Sequence, residues 1–323
     1  MYGGLCFLAL FFLGVSAFSH QAARYSAAIG IASGLGFAMF WLPCNRCTLE
    51  ILSASERVRL LTLSSALTRV VSFLVPLGLG LLISFGGGYP AAFLSVVVVL
   101  VAALLYGFGS SAMETVPARG ELHFRKFFRQ VYTAPELRRV LFATWGLGFA
   151  FFGSLDILLT LTIFKLAGSE AGLGLIVAGL PIISALGAWM VKHLKPNQFQ
   201  TTMLLSAFLM LITTPLLLLP HSLFTISALM FIFALPSALL TTIVNFYSFS
   251  ILDHNEHTRG LTAELVVTRE IALNTGRVMG LLPLLFISIE NPLHICLAVL
   301  VFTLGAMSSV LALAPLDPDR LFS

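Results

Sequence analysis

The sequence predicts an all-α polytopic membrane protein built as two parallel pseudo-repeat helical bundles, and three observations carry that expectation. The first is composition: of 323 residues, 58% are hydrophobic and 10% are charged, with a mean hydropathy of +0.99. The second is pattern. Apolar runs of about 18 or more residues recur along the chain, and they are continuous rather than alternating, which selects helices over barrel strands as the spanning elements. The third is an internal repeat at an offset of 200 residues. Asn45, Ile51, Leu52, Glu56, Arg59, Leu61, Thr62, Thr68, Arg69, Gly80, Leu81 and Leu82 recur as Asn245, Ile251, Leu252, Glu256, Arg259, Leu261, Thr262, Thr268, Arg269, Gly280, Leu281 and Leu282, twelve identities over residues 45–82 without a gap. Apolar bias would match leucines with leucines, but it would not align an asparagine, a glutamate, two arginines and two threonines.

Ten spans follow from the runs, at 4–18, 26–48, 61–84, 90–108, 141–164, 170–191, 202–219, 222–250, 262–288 and 292–314. The first lacks a positively charged n-region and is followed by nine more, so it reads as a membrane helix rather than a signal peptide.

Charge sorts the connecting loops. Numbered alternately, those on one side carry Arg57, Arg59, Arg119, Arg125, Lys126, Arg129, Arg138, Arg139, Lys192, Lys195, Arg259 and Arg320, and those on the other only Arg24 and Lys165. The positive-inside rule makes the first side cytoplasmic. The net charge of +4 is thereby explained by topology, and nucleic acid is not expected as a partner. Arg46, Arg69, Arg269 and Arg277 are left at membrane depth. Glu56/Arg59 and Glu256/Arg259 fall in loops on the same side, so the two copies run parallel.

The longest polar interruption, 109–140, contains HFRKFFRQ, Pro117 and Pro135. Phe124, Phe127, Phe128 and Val131 recur at helical spacing opposite Arg125, Lys126 and Arg129, as in an amphipathic helix on the cytoplasmic membrane surface; a basic linker fits equally well. The domain boundaries that follow are 1–108 for the first bundle, 109–140 for a basic central loop, 141–315 for the second bundle and 316–323 for a cytoplasmic tail.

The four cysteines, Cys6, Cys44, Cys47 and Cys296, lie in apolar segments, which argues against an extracellular disulfide framework. Cys44 and Cys47 form a C-x-x-C without a second pair of ligands, so packing is the expectation and no metal site is assigned. No H-E-x-x-H, G-x-x-x-x-G-K-[ST] or G-x-S-x-G occurs, so neither an enzyme nor an ATP-driven pump is expected. No cofactor is expected either.

The most informative stretch runs from Thr262 to Ser288. At about 1.5 Å per residue it is about 40 Å of helix, yet it holds Arg269, Glu270, Asn274 and Arg277, and a charge near the bilayer centre costs roughly 2.5–3.5 kcal/mol. Glu270, Asn274 and Arg277 stand at i, i+4 and i+7 on one face. Glu270 and Arg277 are about 10 Å apart along the axis, too far for an easy pair, so Arg277 is expected to reach a carboxylate on another helix, Asp156 being the candidate. These four are the expected substrate-binding or coupling residues; a fixed ion pair holding helices together is the competing reading. Gly276 and Gly280 form a G-x-x-x-G for close helix packing, and Pro76, Gly78 and Gly80 in the first copy can bend or thin its helix.

Helix number, basic central loop and parallel repeat together resemble the major facilitator superfamily, whose two related halves flank a substrate path. The resemblance covers essentially the whole chain. It implies a secondary transporter that moves a small solute by alternating access, with a proton as a candidate coupling ion, as a monomer in an inner or plasma membrane. Aligned with that pattern, the ten spans correspond to helices 3 to 12 of twelve, and two helices with the family's basic loop motif would precede Met1. A second copy of that motif is represented in GAWMVKHLKP by Gly187, Lys192 and Lys195. By the same resemblance Asn45 and Asn245 stand in the fourth and tenth helices. They join Arg69, Arg269, Glu56, Arg59, Glu256 and Arg259 as gating or packing residues. A non-transporting truncated remnant or membrane scaffold, and a lipid flippase of the same fold, are the alternative functions.

Overall fold

A backbone surrounded by lipid must satisfy its own hydrogen bonds, and the described residues of the computed structural model form twelve α-helices with no strand among them. Residues 2–18, 21, 24–50, 54–109, 123–151, 155–219, 222–254 and 261–316 are described, with backbone alone at 46–50, 54–59, 61–62, 64–66, 109, 130, 249–254 and 262. The helices are α1 (Tyr2–Ala17), α2 (Ser26–Glu50), α3 (Ala54–Leu82), α4 (Gly88–Gly109), α5 (Phe124–Thr133), α6 (Pro135–Ala150), α7 (Asp156–Ala167), α8 (Glu170–His193), α9 (Phe199–Thr213), α10 (Leu223–His254), α11 (Thr262–Leu281) and α12 (Pro292–Leu313). Six stretches among the described residues are long and apolar enough to cross a bilayer: Ser26–Asn45, Leu67–Phe108, Glu170–His193, Pro196–Leu218, Leu223–Ser248 and Pro292–Leu313.

Internal contacts group the chain into two units, one of Met1–Ser65 with Leu77–Leu122 and one of Ala66–Pro76 with His123–Ser323. In the first, α1 packs on α2 and α4. The Tyr2 hydroxyl donates to the Gly107 carbonyl (2.7 Å) and Ser16 to that of Pro90 (3.2 Å), which pins α1 antiparallel along α4. Gly4 lies against the backbone of Gly36 and Phe40, where a Cβ would collide. Between α3 and α4 a wide π-type turn, Ile83–Gly87, ends in Gly86 and Gly88 at φ 96° and 64°, conformations that only glycine adopts without strain.

In the second unit α6 packs against both α11 and α12. Because lipid is as apolar as leucine, such contacts depend on close approach more than on removal of surface from water. The glycines supply it: Gly276 meets the backbone of Trp145 and Phe149, Gly148 that of Leu273, and Gly146 the hydroxyl of Ser309. The Gly276 half of the expected G-x-x-x-G is thus seated directly on α6. Around this contact the buried core runs through Leu147 on α6, Met203 and Met210 on α9, Leu240 and Ile243 on α10, and Val299 and Phe302 on α12. The outer faces are apolar as well, with Leu205, Phe208 and Ile212 exposed on α9, as lipid contact requires.

Three features refine the expected spans. The runs at 202–219 and 262–288 begin as α-helices but finish as 3-10 turns, Thr214–Leu218 and Leu282–Phe286, each with a proline at its second residue, where the missing N–H breaks the α ladder. Glu56 and Arg59, expected in a loop, stand on the helical backbone of α3; their side chains lie outside the described residues, as do Arg46 in side chain and Glu256 and Arg259 entirely. The amphipathic segment forms α5 and packs on α6 and α11. Phe127 is fully buried and Phe128 is exposed, while the backbone N–H of His123 donates to Glu264 on α11 (2.7 Å). That places a buried carboxylate at the positive end of the α5 dipole.

Candidate functional site

Within the run expected to form one span at 141–164 the helix type changes: α6 ends at Ala150 and α7 begins at Asp156, with helical backbone at Phe151 and Leu155. The described residues between them, Phe151 and Leu155, take the wide π-helical turn, a distortion that recurs at functional sites. Asp156 is the first residue of α7, directly after this π turn.

Asp156 opens onto a cavity of about 210 Å³ within the second unit. Its other lining residues are Arg69 of α3, Phe151, Ser184 of α8, and Ser237, Ala238, Thr241 and Thr242 of α10. The hydroxyls of Ser237 and Thr241 donate to carbonyls of their own helix, Ser237 to Ala234 (3.0 Å) and Thr241 to Ser237 (2.8 Å). Their hydrogens are committed, so toward the cavity these two groups present acceptor lone pairs. Arg69 supplies donors and Asp156 acceptors, and the two form no ion pair with each other among the described residues.

The charged face of α11 is organised differently. Arg269 donates to the Asn245 side-chain oxygen on α10 (2.6 Å) and to the carboxylate of Glu270 (3.1 Å). Asn274 donates to the backbone carbonyl of Glu270 (2.8 Å) and accepts from Arg277 (2.9 Å). Asn274 thus joins Arg277 to the backbone of Glu270, while the Glu270 carboxylate bonds Arg269. The expected pairing of Arg277 with Asp156 is not found among the described ion pairs: Asp156 belongs to the cavity and Arg277 to the α11 network.

The sequence-predicted residues therefore separate. Glu270, Asn274, Arg277, Arg269 and Asn245 are brought together on α10 and α11, and Asp156 and Arg69 on the cavity wall. Asn45 is half-buried on α2. Sequence reasoning missed Ser184, Ser237, Thr241, Thr242 and Glu264. The signal available for three of them was S-x-x-x-T-T in α10, small polar residues one turn apart inside an apolar helix.

A family model described as Major Facilitator Superfamily matches residues 1–267. A protein of Bacillus subtilis (strain 168) described as "Uncharacterized protein YqgE" is 25% identical over 288 residues, covering 88% of this chain and 66% of that protein. The chain thus spans just under two-thirds of that relative's length.

Proposed function

The chain belongs to the Major Facilitator Superfamily, and on that premise we propose that it is a secondary transporter carrying a small polar solute across the membrane by alternating access. The observation that supports this most is the cavity in which Arg69, Asp156 and four hydroxyl residues converge. Ionisable groups are kept at membrane depth, against a cost of a few kcal/mol, where they face a solute path or each other. The π turn beside Asp156 adds support, since such distortions recur at functional sites.

Solute contact in this reading falls to Asp156 and Arg69, and a coupling proton to Glu270. Protonating Glu270 would remove the anion that Arg269 now bonds at 3.1 Å, which ties a proton to the α10–α11 contact made through Asn245. The side bearing most positive loops is cytoplasmic. The test is counterflow of a panel of labelled polar solutes into proteoliposomes of the purified chain, repeated with Asp156→Asn. Counterflow of a solute that Asp156→Asn abolishes supports the assignment; counterflow unchanged by the substitution removes Asp156 from the solute site.

A further inference from the structure

We infer that the cavity selects a zwitterion, a solute carrying one carboxylate and one ammonium group, with the carboxylate at Arg69 and the ammonium at Asp156. The inference rests on the cavity being the solute site and adds the chemical class of what enters it.

The repeat supplies the argument for Arg69. Arg269 stands at the same register of the second copy, and its guanidinium receives an anion from the very next residue, Glu270, at 3.1 Å. The first copy has Val70 at that position, and Arg69 has no ion pair or hydrogen bond among the described residues while facing the cavity. A guanidinium lining a cavity is best complemented by an anion with two oxygens in one plane. The protein withholds that group from Arg69 and supplies it to Arg269.

Asp156 poses the opposite requirement. Its carboxylate lines the same cavity without a cation bound to it among the described residues. Nearby, Ser237 and Thr241 have given their hydrogens to Ala234 and Ser237 carbonyls, and so offer only acceptors. Ammonium has three donors and no acceptor; a carboxylate flanked by hydroxyl lone pairs complements it.

Charge balance excludes the simpler solutes. A monocation would meet Asp156 but be repelled by Arg69, and a monoanion the reverse. A neutral polyol would leave both charges without counter-ions once the cavity closes, and an unpaired buried ion is costly. A dipolar solute offers each charged wall a counter-charge of its own, which none of these solutes does.

The experiment uses the full chain in detergent and in proteoliposomes. Binding is read as ligand-induced displacement of the thermal unfolding temperature for ω-amino acids from glycine to 6-aminohexanoate, each beside its amine-only and acid-only analogue and a neutral polyol. The expected result is that at least one zwitterion binds at least about tenfold more tightly than both of its single-charge analogues, since each lost charged hydrogen bond is worth that much or more. Arg69→Gln and Asp156→Asn should each remove that preference, and Arg69→Lys, which keeps the charge, should retain part of it. Equal binding of zwitterions and analogues, or preferential binding of the polyol, would overturn the inference. Zwitterion binding without counterflow in proteoliposomes would uphold the substrate class and overturn transport, so the two conclusions fail separately.

Discussion

Arg69 and Arg269 began as copies of one residue, and their surroundings now differ at the position that follows. Arg269 lies between Asn245 at 2.6 Å and Glu270 at 3.1 Å, partly screened, with 19% of its side chain exposed. Arg69 is followed by Val70 and faces a cavity shared with Asp156 and four hydroxyl residues. An arginine at membrane depth favours an anion; Arg269 has one in Glu270, and on the reading proposed above Arg69 takes its anion from the solute.

Substitutions that treat the two arginines alike should therefore give unlike results. The largest effect is expected from Arg269→Ala, which strands Glu270 and removes the α10–α11 hydrogen bond. It should destabilise by about 3 kcal/mol, seen as a lowered unfolding midpoint in detergent, and a midpoint within error of the parent would mean that the network carries no stability. Asn245→Ala removes only one partner and should lower the same midpoint by about 1–2 kcal/mol. Val70→Glu copies the second half onto the first by giving Arg69 an adjacent anion. It should weaken solute binding about tenfold without unfolding the protein, and unchanged affinity would show that Arg69 does not serve the solute.

The smallest effect belongs to Lys165 and Glu290, which meet at 2.7 Å with both side chains exposed. The hydrogen bond from Lys165, and then its charge, hold the Glu290 carboxyl below its ordinary range. A carboxylate lowered in this way contributes stability above its unfolded value and loses it as pH falls through the folded one. Because the pair is solvated, Glu290→Gln should leave the neutral-pH unfolding midpoint unchanged within error, with any difference from the parent shrinking further in acid.

What could be read in advance followed from strong local signals. The spans ending near Gly109, His193 and Leu313 were legible because hydropathy changes sharply there. The duplication was legible because Asn, Glu, Arg and Thr cannot align by apolar bias. The distance between Glu270 and Arg277 came from helix geometry, and Arg277 bonds Asn274, one turn away. The π turn before Asp156 was not legible, since the apolar run at 141–164 continues past it without a change in hydropathy. Nor were Ser184, Ser237, Thr241 and Thr242, because hydroxyl residues in membrane helices usually bond back to their own turn, as Thr144 does to Val140 and Thr162 to Leu158. Whether a hydroxyl also lines a cavity depends on how helices meet. Glu264 was passed over for a similar reason: a first-turn glutamate looks like an ordinary helix start until α5 is seen to begin against it.

The most direct measurement compares ligand-induced thermal stabilisation in three proteins: the parent, Arg69→Gln and Arg269→Gln. The account predicts that a bound zwitterion stabilises the parent and Arg269→Gln alike, the latter from a lower starting midpoint, and leaves Arg69→Gln unmoved. Stabilisation that survives Arg69→Gln and disappears with Arg269→Gln would contradict it and move the solute site to α11.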